Sequence, residues 1–84
     1  MSDTEGGTQP KAEAAKIATL TARERAVIAL VGEGLGNKQI AQRLALSETT
    51  VGRYLTAIFN KLGVADRLDL ILYAYRHGLA KLPL

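Results

Sequence analysis

Residues 46–63, L-S-E-T-T-V-G-R-Y-L-T-A-I-F-N-K-L-G, read as one helix with both ends marked. Ser47 is a preferred N-cap, because its hydroxyl can take an orphan backbone N–H, and Gly63 is a natural left-handed stop. Between them Val51, Leu55, Ile58, Phe59 and Leu62 form one apolar stripe at the helical period. The opposite side carries Thr49, Arg53, Thr56 and Asn60, with Gly52 beside them. An ordinary solvated face carries more mixed charge. One cation, two hydroxyls and an amide suit a surface that presents hydrogen-bonding edges and negative charge.

A stripe of this kind needs partners, and the chain is short. Its 84 residues make one small domain, which can bury only a modest core. The chain has no cysteine, which excludes disulfides and cysteine-based metal or redox sites, and a lone histidine builds no metal centre. No apolar run reaches membrane-spanning length, and the first residues lack the apolar segment of a signal peptide, so the expected compartment is the cytoplasm. The formal charge of +3 is unevenly spread: residues 1–16 carry −1 and the remainder +4. A basic folded part suits an anionic partner such as nucleic acid.

Residues 1–17 are polar, include a Gly pair and Pro10, and show no periodic apolar face. They are expected to be a flexible leader or linker, within which Lys11 to Ala18 could form a transient helix. The folded domain is expected over 18–84. Its first helix starts after Thr21, whose cap is completed as a capping box by Glu24, with Leu20 as a hydrophobic staple and Gly34 as the stop. Val27, Ile28 and Val31 follow one face, and Glu24 points the same way, so its charge needs a partner. A short helix from about Asn37 to Leu44 follows, capped by Gly36 or Asn37, with Ile40, Ala41 and Leu44 inward. Ala45–Leu46–Ser47 is too short for a long loop and forces the next helix off at a steep angle. Two helices joined this way, the second with a polar outer face, make a helix-turn-helix pattern.

The last helix runs from the cap Asp66 to about His77, with Asp69 placed to close a second capping box and Gly78 as the stop. Leu68, Ile71, Leu72 and Tyr75 are expected to face the core. Leu70, Tyr73 and Ala74 then form a second apolar side, and a helix apolar on two sides is buried on two sides. In so small a domain the second side is expected to meet another chain, with the apolar tail 79–84 covering part of that region. The fold class is therefore all-α: four helices with a central helix-turn-helix and the last helix free to dimerise. The glycines at 32, 34 and 36 lack the strand-loop-helix setting of a nucleotide site.

Four blocks, L-T-A-R-E at 20–24, G-L-G-N-K-Q-I-A at 34–41, L-S-E-T-T-V at 46–51 and K-L-G-V-A-D-R at 61–67, together resemble the LuxR/FixJ-type helix-turn-helix domain of bacterial transcription regulators. The resemblance covers roughly residues 18–79. It implies a four-helix, non-enzymatic domain that binds double-stranded DNA as a dimer, with the third helix, about residues 48–62, in the major groove. The family's T-V-K-x-H segment appears here as Thr50-Val51-Gly52-Arg53-Tyr54, so Gly52 stands at the frequent lysine and Tyr54 at the frequent histidine. The expected base readers are Gly52, Arg53 and Thr56. With the usual lysine missing, Arg53, one residue on, is expected to be the main one, able to grip guanine, and Gly52 to allow close approach to a groove wall or a thymine methyl. Asn37 and Lys38 resemble the family's phosphate anchors; Ser47, Thr49 and Thr50 at the helix N-terminus, with Asn60 and Lys61 at its far end, are also expected to meet phosphate. Dimer contacts are expected at Leu70, Tyr73, Ala74 and His77, and a structural ion pair between Glu24 and Arg67. The expected partners are double-stranded DNA, a second copy of the chain and, for a transcription regulator, RNA polymerase; no cofactor, metal or membrane is expected. Two other readings compete: a sigma-factor-like promoter-reading domain, and a helical interaction module without specific DNA binding. A stand-alone regulator and a fragment of a longer one would read alike.

Overall fold

The computed structural model describes residues 10–81. Five helices follow in order: α1 Pro10–Ala18, α2 Ala22–Gly32, α3 Asn37–Leu44, α4 Glu48–Leu62 and α5 Arg67–Arg76. The last four are the expected ones, and α4 is the helix anticipated as the third. Among the described residues all regular structure is helical, so the all-α class holds with one helix more than expected.

The ends of the helices follow local chemistry. Thr21 Oγ1 accepts from the Glu24 N–H and the Glu24 carboxylate accepts from the Thr21 N–H, a complete capping box. Gly36 caps α3, with Gln39 Oε1 accepting from its N–H. Ser47 Oγ accepts from the Thr50 N–H at 3.0 Å, and Gly63 ends α4 at φ 69°. Asp66 caps α5 by accepting from the Asp69 N–H, but the Asp69 carboxylate accepts from Ala65 N rather than from the cap itself, so the second capping box is displaced by one residue. The three-residue α3–α4 connector turns on Ala45, which holds φ 58° without being glycine. That conformation costs an L-residue about 1–2 kcal/mol. It is held by the Leu46 N–H donating to Ala41 O at 2.8 Å.

α4 packs against α1, α2 and α3, and α5 packs on α2. Val27, Ile28, Val31, Ile40, Val51, Ile58, Leu62 and Leu70 are the large side chains buried outright. Each such aliphatic group stabilises by about 1.5–3 kcal/mol relative to exposure.

Two expectations are corrected here. The leader reading fails over residues 10–17: Pro10–Ala18 is a helix that docks on the domain, while residues 1–9 lie outside the described part. Docking rests on Glu13, which is buried and accepts from the Tyr73 hydroxyl at 2.6 Å and from Lys16 Nζ at 3.2 Å. The carbonyls at the end of α1 are also taken, Ile17 O by Arg25 and Thr19 O by Lys61. The hydrogen bond from Tyr73, helped by Lys16, outweighs desolvation and holds the Glu13 carboxyl below the usual carboxylate range.

The second correction concerns α5. Leu70, Tyr73 and Ala74, expected at a dimer contact, are buried within the chain. His77 is half-buried, its ring 4.3 Å from that of Tyr73. Leu68 and Leu72, expected in the core, are exposed at 65% and 50%, with Ile71 and Tyr75 half-buried beside them. The two apolar stripes of α5 are both helical in period. α1 and α2 select the stripe that carries Tyr73, because only that one brings its hydroxyl to Glu13.

After α5 the chain turns at Gly78, φ 72°, and returns to α2. Ala80 is buried there, and the Tyr75 hydroxyl donates to Gly32 O. The tail therefore covers α2, with residues 82–84 outside the described part. A Cβ at Gly32 would lie 2.4 Å from Ala80 Cβ, closer than side chains can sit. Alanine for glycine in a helix ordinarily stabilises. Here overpacking reverses the sign: Gly32→Ala should lower stability by about 1–3 kcal/mol, seen as a lower Tm in a thermal melt.

Candidate nucleic-acid interface

α4 presents the outward surface. Its inner stripe of Val51, Leu55, Ile58 and Leu62 is buried in the core, which fixes the rotation of the helix. Thr49, Arg53, Thr56 and Asn60 are then exposed along the other side, with Gly52 half-exposed among them. All five expected residues of this face are thus brought together on one helix anchored at both ends. Nothing lies within 4 Å of where a Gly52 Cβ would be. The Thr56 hydroxyl donates to Gly52 O at 3.1 Å. Among the described residues Arg53 and Lys38 enter no salt bridge.

At the start of α4 the polar groups are partly spent. Besides capping, the Ser47 hydroxyl donates to Thr50 Oγ1 at 2.9 Å. Thr49 stays exposed, and so does Glu48, an acid in the first turn that repels phosphate at this end. Lys38 is exposed at the start of α3, while Asn37 is half-buried.

Three expected roles change. Glu24 does not pair with Arg67. Its partner is Lys61, whose Nζ lies 2.8 Å from Glu24 Oε1 and also donates to Thr19 O at 3.1 Å. The reason is geometric. Glu24 sits in the first turn of α2, beside the last turn of α4. Arg67 sits at the other end of α2, which at 1.5 Å per residue is about 16 Å long. There Arg67 donates to Asn37 Oδ1 at 2.8 Å and to Leu35 O. Lys61, half-buried, is consequently engaged by the fold rather than free for a phosphate. Asn37 has its amide oxygen occupied, so only its NH2 remains for a phosphate.

Glu24 is buried. Burial pushes its carboxyl up, but the hydrogen bonds from Lys61 and Thr21 outweigh this and hold it below the usual range. Sequence reasoning missed Lys61 as the partner, although Glu24 was visibly a charge in need of one. It also missed the contact between Glu13 and Tyr73, for which the only signal was the Glu13/Lys16 pair followed by Ile17.

The description "Bacterial regulatory proteins, luxR family" matches residues 18–74, the span that holds α2 to α4 and most of α5. The chain belongs to the luxR family. Membership carries DNA-binding transcription regulation, and a module of this family is a regulatory domain rather than an enzyme. Among similar proteins, a candidate HTH-type transcriptional regulator of Mycobacterium bovis is 50% identical over 60 residues, 71% of this chain but 7% of its own length. The transcriptional regulatory protein LnrK of Bacillus subtilis is 43% identical over 61 residues, 73% of this chain and 28% of its own. BvgA of Bordetella pertussis, described as a candidate positive regulator of virulence-factor transcription, is 35% identical over 80 residues, 95% of this chain and 38% of its own. The luxR module seen here thus spans well under half of each of these relatives. Among its described residues no helix is long and apolar enough to cross a membrane.

The corrected ion pair has a consequence for stability. Lys61→Met leaves the buried Glu24 carboxylate short of a donor, a loss of about 1–3 kcal/mol in a chemical or thermal unfolding curve. Because the folded carboxyl lies below its unfolded value, its contribution is present above the unfolded range and fades as pH falls through the folded value. Lys61→Met should remove much of that acid dependence, measured by melts across the carboxylate range.

Proposed function

We propose that this chain is the sequence-specific, double-stranded-DNA-binding module of a bacterial transcription regulator, working in the cytoplasm as a dimer and carrying no enzymatic step. α4 enters the major groove with Arg53 as the main base reader and Gly52 and Thr56 beside it. What supports this reading above all is that α4 is fixed at both ends yet leaves Thr49, Arg53, Thr56 and Asn60 exposed on one side. A planar guanidinium can grip guanine O6 and N7 together, which discriminates by about 1–3 kcal/mol. Lys38, Thr49, the free amide of Asn37 and Asn60 serve the phosphates, which position the helix without reading sequence. RNA polymerase is a secondary partner on this reading.

Dimerisation is assigned to α5 by the face that carries Leu68 and Leu72, since the face first expected is occupied internally. Two modules then bind two spaced half-sites, and linkage multiplies their modest single affinities. The last-helix surface favours this reading over the sigma-factor-like one. Salt-dependent DNA affinity separates it from a pure interaction module.

The deciding experiment incubates the purified chain with random duplexes at two salt concentrations and sequences what is retained. Enrichment of paired half-sites is expected; retention without enrichment would reduce the role to backbone binding, and no retention at low salt would overturn it. With the enriched site in hand, Arg53→Ala should weaken specific binding by about tenfold or more while leaving non-specific affinity nearly unchanged. Equal loss on both would make Arg53 a phosphate anchor. Leu72→Glu should abolish self-association in sedimentation, with a stability change within about 0.5 kcal/mol because the side chain is exposed.

A further inference from the structure

We propose that Thr56 and Gly52 together read an A·T pair, Thr56 Oγ1 accepting from the adenine N6 amine and the open notch at Gly52 receiving the thymine C5-methyl. This rests on the reading of α4 as the groove-entering helix and goes further by naming the base chemistry.

The first part follows from where the Thr56 hydrogen points. Its hydroxyl donates to Gly52 O, one turn back, at 3.1 Å. A hydroxyl committed in this way keeps its acceptor lone pairs but not its donor. In the major groove the donors available to such an acceptor are the adenine N6 and cytosine N4 amines; guanine and the thymine edge offer acceptors only. Thr56 is exposed, so the oxygen is accessible to a base. Thr56 thereby complements Arg53, which only donates and therefore seeks acceptors.

The second part separates adenine from cytosine. Gly52 precedes Thr56 by one turn on the same side of α4, and a side chain there would meet nothing within 4 Å. The helix surface is therefore notched beside the Thr56 oxygen, and no interior contact asks for glycine. Gly52 has no turn to make either, since it sits in the middle of α4 at a cost of about 1 kcal/mol relative to alanine. An A·T pair offers both an amine and a methyl, whereas a G·C pair offers an amine without the methyl. A notch paired with an acceptor thus favours A·T.

The test uses the full chain and the half-sites enriched from random duplexes. Each A·T pair is replaced in turn, either by a purine lacking the N6 amine opposite thymine or by uracil opposite adenine. At one pair the first change should weaken wild-type binding about fivefold and the second, at that same pair, about fourfold. Thr56→Val should lose the response to the missing amine while Thr56→Ser keeps it. Gly52→Ala should lose the response to the missing methyl. Thermal melts of each variant establish that it is folded. The proposal is overturned if wild-type affinity is indifferent to either replacement, if Thr56→Val still senses the amine, or if Gly52→Ala still separates thymine from uracil. Indifference with half-site enrichment intact overturns this proposal alone; loss of enrichment itself overturns the reading of α4 beneath it.

Discussion

The Lys61 ammonium is where three helices are tied. It closes α4 onto the buried Glu24 of α2 and onto the Thr19 carbonyl at the joint after α1. Glu24 in turn caps its own helix through Thr21. A carboxylate this deeply buried would be costly alone. With a cation and a backbone N–H it becomes a fixed reference point, and the C-terminal turn of α4 is registered against the N-terminal turn of α2. The opposite end of α2 is held by a different device, Arg67 bonding Leu35 O and Asn37. That places the start of α3 relative to α5. The exposed polar face of α4 is thus located by two polar clamps, one at each end of α2, with the apolar stripe of α4 between them setting its rotation.

The docked α1 changes what α5 has left to offer. Glu13 claims Tyr73, and the helix turns so that Leu70 and Ala74 enter the core. Leu68 and Leu72 are thereby pushed to the outside. Leu68 and Leu72 lie one turn apart, so they expose apolar surface on one side of α5, the side proposed above to meet a second copy. The same contact that anchors the N-terminal segment therefore decides which side of the last helix faces outward.

Much of this was legible in the sequence. Caps at Thr21, Ser47 and Asp66, the stop at Gly63 and the stripe from Val51 to Leu62 are local signals, and each is found where the chemistry puts it. The membership of the exposed polar face of α4 follows from the same periodicity. What was not legible depended on contacts far apart in the chain. α5 carries two stripes of similar period, Leu68–Ile71–Leu72–Tyr75 and Leu70–Tyr73–Ala74–His77, and no local property ranks them. Glu13 is 60 residues from its partner Tyr73, and Lys61 is 37 from Glu24. Helices in so polar a segment as α1 gain most of their stability from docking, which short-range pattern does not contain. The Glu24–Arg67 pairing failed for the same reason: both charges were identified, but the length of α2 separates them.

The clamps also set the charge of the candidate nucleic-acid surface. Of the cations on α3 and α4, Lys38, Arg43 and Arg53 are exposed while Lys61 is drawn inward, and Arg67 is likewise spent on the fold. Each phosphate neutralised contributes a salt exponent of about −0.9, so with two or three such cations the proposed DNA binding would have a shallow salt dependence. On the proposed reading its affinity then rests less on counterion release and more on base contacts along α4, and a second copy would multiply it. On that reading the structural use of Lys61 and Arg67 shifts the domain from non-specific attraction towards discrimination, and the exposed Leu68 and Leu72 face is the surface proposed to bring in the second copy.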